Sequence, residues 1–118
     1  MLRSGSWSLY TIVVKTSQAL SVDAYVLDSL MADLVGHDRR PGAYILYLSL
    51  LRLCSLTGSV GISLQGLATA TGLSKSAVHR SVTHLSRRGL IVVRVDGPTQ
   101  APDYEILQPW RRLKTPHP

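Results

Sequence analysis

The chain has 118 residues, 45% of them hydrophobic, enough for one packed domain or one domain with an added arm. Its 13 Lys and Arg against 7 Asp and Glu give a formal charge of +6, a balance that favours a polyanionic partner. One cysteine, Cys54, excludes an intrachain disulfide, and its aliphatic neighbours predict a buried thiol rather than a nucleophile. The longest apolar run, Ala43 to Leu48, is far too short to span a membrane. The apolar stretch Leu9 to Val14 is interrupted by Tyr and Thr and is too short for a secretory leader, so a cytoplasmic location is expected.

Residues 8–15, S-L-Y-T-I-V-V-K, are β-branched and aromatic and predict a strand. Ser21 is placed to cap a helix, with Asp23 in its first turn, where a negative charge is favoured. Val22, Tyr25, Val26, Ser29, Leu30, Asp33 and Leu34 then recur at helical spacing, and Gly36 is the expected stop. Asp23, Asp28, Asp33 and Asp38 sit five apart, wind around the helix and read as solvation, and His37 to Arg40 read as a polar connection in which Arg39 or Arg40 could pair with Asp33 and Asp38. Residues 1–40 are therefore expected to form an N-terminal extension.

Pro41 suits the first position of a second helix, followed by G-A-Y-I-L-Y-L-S-L-L-R-L-C-S at 42–55. Apolar residues run almost all the way round it, and a helix apolar on every face must be covered on every face. A small domain covers about half of it, and the N-terminal helix and strand, or a second subunit, must cover the rest. A homodimer is expected, with residues 8–56 supplying most of the interface; the alternative is a buried central helix in a monomer. Tyr25, Tyr44 and Tyr47 could line a pocket beside the N-terminal helix, but such tyrosines more often belong to the core. No small-molecule effector follows from these residues.

Thr57 to Ser59 predict a turn and Val60 to Ile62 a short strand. Ser63 caps a helix from Leu64 to Thr71, with Leu67 and Ala68 facing inward and Ala70 small enough for close helix approach. Gly72 permits the positive φ of a tight helix exit, and Leu73 pins the turn to the core. Ser74 caps the next helix, from about Lys75 to Arg88, and Gly89 closes it. Ala77, Val78, Val82 and Leu85 form its inward stripe. Lys75, Ser76, His79, Arg80, Thr83 and Arg87 lie away from that stripe, and residues 75–94 contain no acid. Cations neutralise phosphates or grip guanine, hydroxyls bond to phosphates or base edges, and histidine donates to either. A solvated basic face is the bland alternative for the same pattern.

Leu90 to Val95 read as a strand, Asp96-Gly97-Pro98 as a turn, Thr99 to Pro102 as a polar tip and Asp103 to Leu107 as the returning strand. The tip carries no Lys or Arg, so Arg94 at the base is its best phosphate contact. After Gln108 the stretch P-W-R-R-L-K-T-P-H-P is basic and rich in proline, and residues 109–118 are read as a tail.

The run I-S-L-Q-G-L-A-T-A-T-G-L-S-K-S-A-V-H-R-S-V-T-H-L-S-R-R-G-L-I, followed by a hairpin, resembles a winged helix-turn-helix domain of the bacterial transcription-regulator superfamily. It is similar in pattern to the MarR, GntR and IclR groups. The resemblance implies a recognition helix at Ser74 to Arg88 and a wing from Val92 to Leu107, within a domain at 41–108. It implies a mainly α fold with a small β-hairpin, a bacterial source and double-stranded DNA as partner. On that reading Ser76, His79, Arg80 and Thr83 face bases, while Lys75, Arg87, Arg88 and Arg94 hold phosphates and Ser74 opens the helix. The chain departs from the MarR pattern in its predicted N-terminal strand and in lacking a long C-terminal dimerisation helix, and from GntR in lacking an effector domain.

The four histidines, His37, His79, His84 and His117, show no ligand spacing, and His79 and His84 are about 140° apart around one helix. No phosphate loop or Ser/His/Asp set is evident, so no enzymatic activity, metal or cofactor is expected. A plasmid or phage replication or partition factor, and a winged-helix protein-interaction module, are the competing functions for the same fold.

Overall fold

The computed structural model describes residues 19–98 and 100–111. The strand predicted at 8–15, Thr99 of the wing tip and the end of the basic tail lie outside the described residues. The remainder is mainly helical with a small antiparallel sheet. The first helix, α1, consists of two π-helical stretches, Val26–Leu30 and Ala32–His37. Then follow α2 (Pro41–Leu53), β1 (Ser59–Gly61), α3 (Leu64–Thr71), α4 (Lys75–Arg87), β2 (Ile91–Arg94) and β3 (Asp103–Ile106). The three strands lie in the order β1-β3-β2, so the expected hairpin gains a third strand on its far side. Ile91 opposes Ile106 in one ladder, and Val60 opposes Tyr104 in the other.

Helix α1 differs from its sequence reading at both ends and in type. Helical backbone begins at Ala24, leaving Ser21 ahead of the helix. The amide of Met31 bonds to the carbonyl of Val26, and that of Asp38 to Asp33, a five-residue step. Val26, Leu30 and Leu34 are buried. Their four-residue recurrence serves a wider turn as well as an α-turn, so the apolar pattern could not separate the two. The helix runs past Gly36 to His37, and the chain reverses at Arg39, which takes the left-handed φ of 57°.

Helix α2 is the centre of the core. It packs on α1, α3, α4 and β3, and Leu46, Tyr47 and Leu50 are fully buried. Its own chain covers most of its apolar girth, with the N-terminal helix α1 covering one side. The uncovered side, with Ile45, Leu48, Arg52 and Leu53, borders a shallow groove against Ala70 and Thr71 of α3. The Tyr44 hydroxyl donates to the Val26 carbonyl at 2.9 Å, and the Tyr47 hydroxyl to the Leu107 carbonyl at 2.7 Å. Both tyrosines therefore tie distant segments to α2, and burial pushes both phenols above their ordinary pKa. Cys54 is buried, and burial likewise raises its thiol.

The beginning of the C-terminal stretch is part of the packed body. Trp110 is 4% exposed, stacks on Tyr25 at 4.7 Å between ring centroids and meets Tyr47 edge-on. Its indole N–H donates to Asp23 at 2.8 Å, and Arg111 donates to both oxygens of the same carboxylate at 2.7 and 2.9 Å. Asp23 thus holds Trp110 and Arg111 against the entrance to α1.

Candidate nucleic-acid interface

The connection between α3 and α4 is built by side chains bonding to backbone. The Ser63 hydroxyl accepts the Gly66 amide at 3.0 Å, and the Ser74 hydroxyl accepts the Ala77 amide at 3.1 Å, capping each helix. Gly72 takes a φ of 82°, and its amide bonds to the Ala68 carbonyl. Thr71 adds a link that the sequence did not disclose. Its hydroxyl donates to the Leu67 carbonyl at 2.7 Å and accepts the Leu73 amide at 3.1 Å. The turn therefore has few conformations open to it, and α4 leaves it in one direction.

Helix α4 buries Val78, Ser81 and Leu85, with Ala77 and Val82 half-buried beside them. Ser81 sits on this inward face opposite Gly42 of α2, where an added Cβ would lie 3.3 Å from the serine oxygen. Lys75, Ser76, His79, Arg80, Thr83 and Arg87 are all exposed. Lys75, Ser76, His79 and Arg80 line a shallow groove with Leu64. His79, Arg80, Thr83 and Arg87 border a second, together with His84 and Arg40. Seven of the nine expected site residues, Ser74 included, thus lie on or at the mouth of one helical face. Ser74 spends its acceptor on the cap, and Thr83 donates to the His79 carbonyl at 3.1 Å.

The other two are engaged elsewhere. The Arg88 guanidinium donates to Asp38 and to Asp33 of the α1 region. Those aspartates are paired with α4, not with the neighbouring Arg39 or Arg40 that sequence proximity suggested. Arg94 donates to Glu105 of β3 at 2.8 Å, an exposed cross-strand pair at the base of the wing.

Asp38 is the centre of a clasp between α1 and α4. Its side chain is 9% exposed and accepts from His84 Nε2 at 2.7 Å and His37 Nδ1 at 3.0 Å, besides Arg88. These bonds from His37 and His84, with the Arg88 charge, outweigh burial and hold the Asp38 carboxyl down to about 2. The carboxylate can only accept, so His84 carries a proton on Nε2, and its buried Nδ1 meets no partner among the described residues. Oxygen and nitrogen atoms of Asp33, His37 and Asp38 lie within 4.8 Å of one another, a spacing that could suit a metal ion. The Arg88 guanidinium already occupies those carboxylates and opposes a second cation there.

The clasp and the place of Arg40 beside α4 leave no local mark in the sequence, because both join residues far apart in the chain. The five-residue spacing of the aspartates looked like solvation, and only the approach of α4 gives it a purpose.

Residues 47–100, from the middle of α2 into the wing, match the family model described as MarR family. No curated protein matches the chain. A solved MarR family transcriptional regulator from Silicibacter pomeroyi DSS is similar at 17% identity and a TM-score of 0.45, over 89% of this chain and 60% of that one. The chain thus spans about 60% of the length of that protein. Residues 47–100 hold the helix, glycine turn, capped second helix and first wing strand of a winged helix-turn-helix similar to the MarR family, and β3 completes the wing just beyond them.

Proposed function

We propose that this protein is a transcriptional regulator that binds double-stranded DNA sequence-specifically through α4, without catalysis of its own. One observation carries this reading. The exposed face of α4 collects Lys75, Ser76, His79, Arg80, Thr83 and Arg87 with no acid among them, on a helix held rigidly by caps and core. Ser76, His79, Arg80 and Thr83 face base edges, and Lys75 and Arg87 hold phosphates. Ser74 sets the start of the helix. Arg88 serves the Asp38 clasp before it serves a duplex, and Arg94 reaches phosphate by exchanging its exposed pair with Glu105, an exchange of small cost.

The protein acts as a homodimer through residues 8–56. Leu27, Met31 and Val35 support this, because they form an apolar stripe along α1 that is 57%, 38% and 38% exposed. Two copies of α4 then enter successive major grooves about 34 Å apart and read an inverted repeat. The setting is the bacterial cytoplasm.

Selection from random duplexes, followed by affinity measurements across salt concentrations, tests the proposal. An enriched inverted repeat is the expected result. Weak binding without sequence preference would instead favour a winged-helix module that binds protein. Enriched sites clustered in iterated origin repeats would favour a replication or partition factor.

A further inference from the structure

The connection between α1 and α2 is a second cationic element beside α4. Arg39 and Arg40 are both exposed, and Arg40 lines the same groove as His79, Arg80, Thr83 and Arg87. This placement is fixed. Asp38, the residue just before the pair, is bound through its side chain to His84 and Arg88 near the end of α4. On the other side Pro41 begins α2, and the Arg40 amide bonds to the Leu34 carbonyl at 2.8 Å. The two arginines are thus held at both ends against the helix. Their neighbouring acids, Asp33 and Asp38, share the Arg88 guanidinium, and Arg39 and Arg40 then leave this connection with more cations than acids without counting any histidine.

We propose that Arg40 contacts the phosphate backbone of the duplex that α4 reads, making the α1–α2 connection a backbone clamp at the flank of the recognition helix. The inference rests on the DNA-binding reading above. A phosphate contact from this position adds affinity without sequence preference and anchors the C-terminal half of α4, where Arg87 lies.

The test compares the full chain with Arg40→Ala, Arg40→Lys and Arg52→Ala, following affinity for the selected duplex and for an unrelated duplex across a salt series. Arg52 removes the same charge from the far end of α2, about 18 Å along the helix and beyond the screening length at physiological salt. Arg40→Ala is expected to flatten the salt slope by about one per bound protomer and to weaken both duplexes about three- to tenfold per protomer near physiological salt. Arg40→Lys should restore most of the slope, and Arg52→Ala should leave it unchanged. If the chain binds DNA but Arg40→Ala keeps the parent slope, or if Arg52→Ala lowers it equally, the clamp is wrong and the role of α4 stands. If the parent chain binds no duplex, the reading of α4 falls and takes the clamp with it.

Discussion

Arg80 and Arg88 are the same residue type on one helix, eight positions apart, yet their surroundings assign them different work. Arg80 is exposed and borders both shallow grooves on the outer face of α4. Arg88 is tied to Asp33 and Asp38. Arg80→Ala is therefore expected to weaken binding to the selected duplex by about 1–3 kcal/mol, and to relax preference at one base position. Unchanged affinity at controlled salt removes Arg80 from the base-reading set. Arg88→Ala should instead lower folding stability by about 1–3 kcal/mol, because it strips the charged partner from a mostly buried carboxylate. Urea unfolding checks this; a variant with parent stability but lost DNA affinity would return Arg88 to the phosphate contacts.

At the scale of elements, fit between neighbours decides more than propensity. Gly66 lies inside α3, where alanine ordinarily gains about 1 kcal/mol over glycine. Here an added Cβ would sit 2.6 Å from Cγ1 of Ile62, close to the root of a stiff β-branched side chain. Gly66→Ala is expected to be net destabilising by about 1–3 kcal/mol, and a stabilised variant in chemical denaturation would contradict the packing described. The junction of α1 with α4 carries a pH dependence. Asp38 is held at about 2 in the folded protein against an ordinary value of 3.8. Its contribution is therefore complete above the ordinary value and disappears as pH falls from 3.8 toward about 2. The thermal midpoint should drop across that interval, and Asp38→Asn should remove this part of the drop while lowering stability at neutral pH. A variant whose midpoint follows the same acid limb as the parent would show that other carboxylates govern it.

For the whole molecule, the open question set by the surface is how copies assemble. The described body covers most of α2, while α1 presents an aligned apolar stripe at Leu27, Met31 and Val35. If this stripe joins two copies, Leu27→Glu should place a buried charge in the interface and shift the protein to monomer in sedimentation velocity. Its helical circular dichroism should stay unchanged, because Leu27 is 57% exposed within one chain. A dimer that survives the substitution places the interface elsewhere. Monomerisation should also reduce affinity for an inverted repeat far more than for a half-site, since the second recognition helix is lost.

The sequence by itself determined the local devices: the caps at Ser63 and Ser74, the glycine exit at Gly72, the inward stripe of α4 and the two strands of the wing. Each depends on chemistry within a few residues, where hydrogen bonds and periodic burial leave a readable mark. The outer face of α4 was legible for the same reason, being the complement of its apolar stripe. Only the tertiary structure decided what the charges at Asp33, Asp38, His84 and Arg88 do, that Trp110 belongs to the packed body, that β1 joins the sheet and that Arg40 stands beside α4. Those outcomes need residues far apart in the chain to meet. Ion pairs, aromatic stacking and ladder pairing carry no periodic signal along the sequence that would announce the partner.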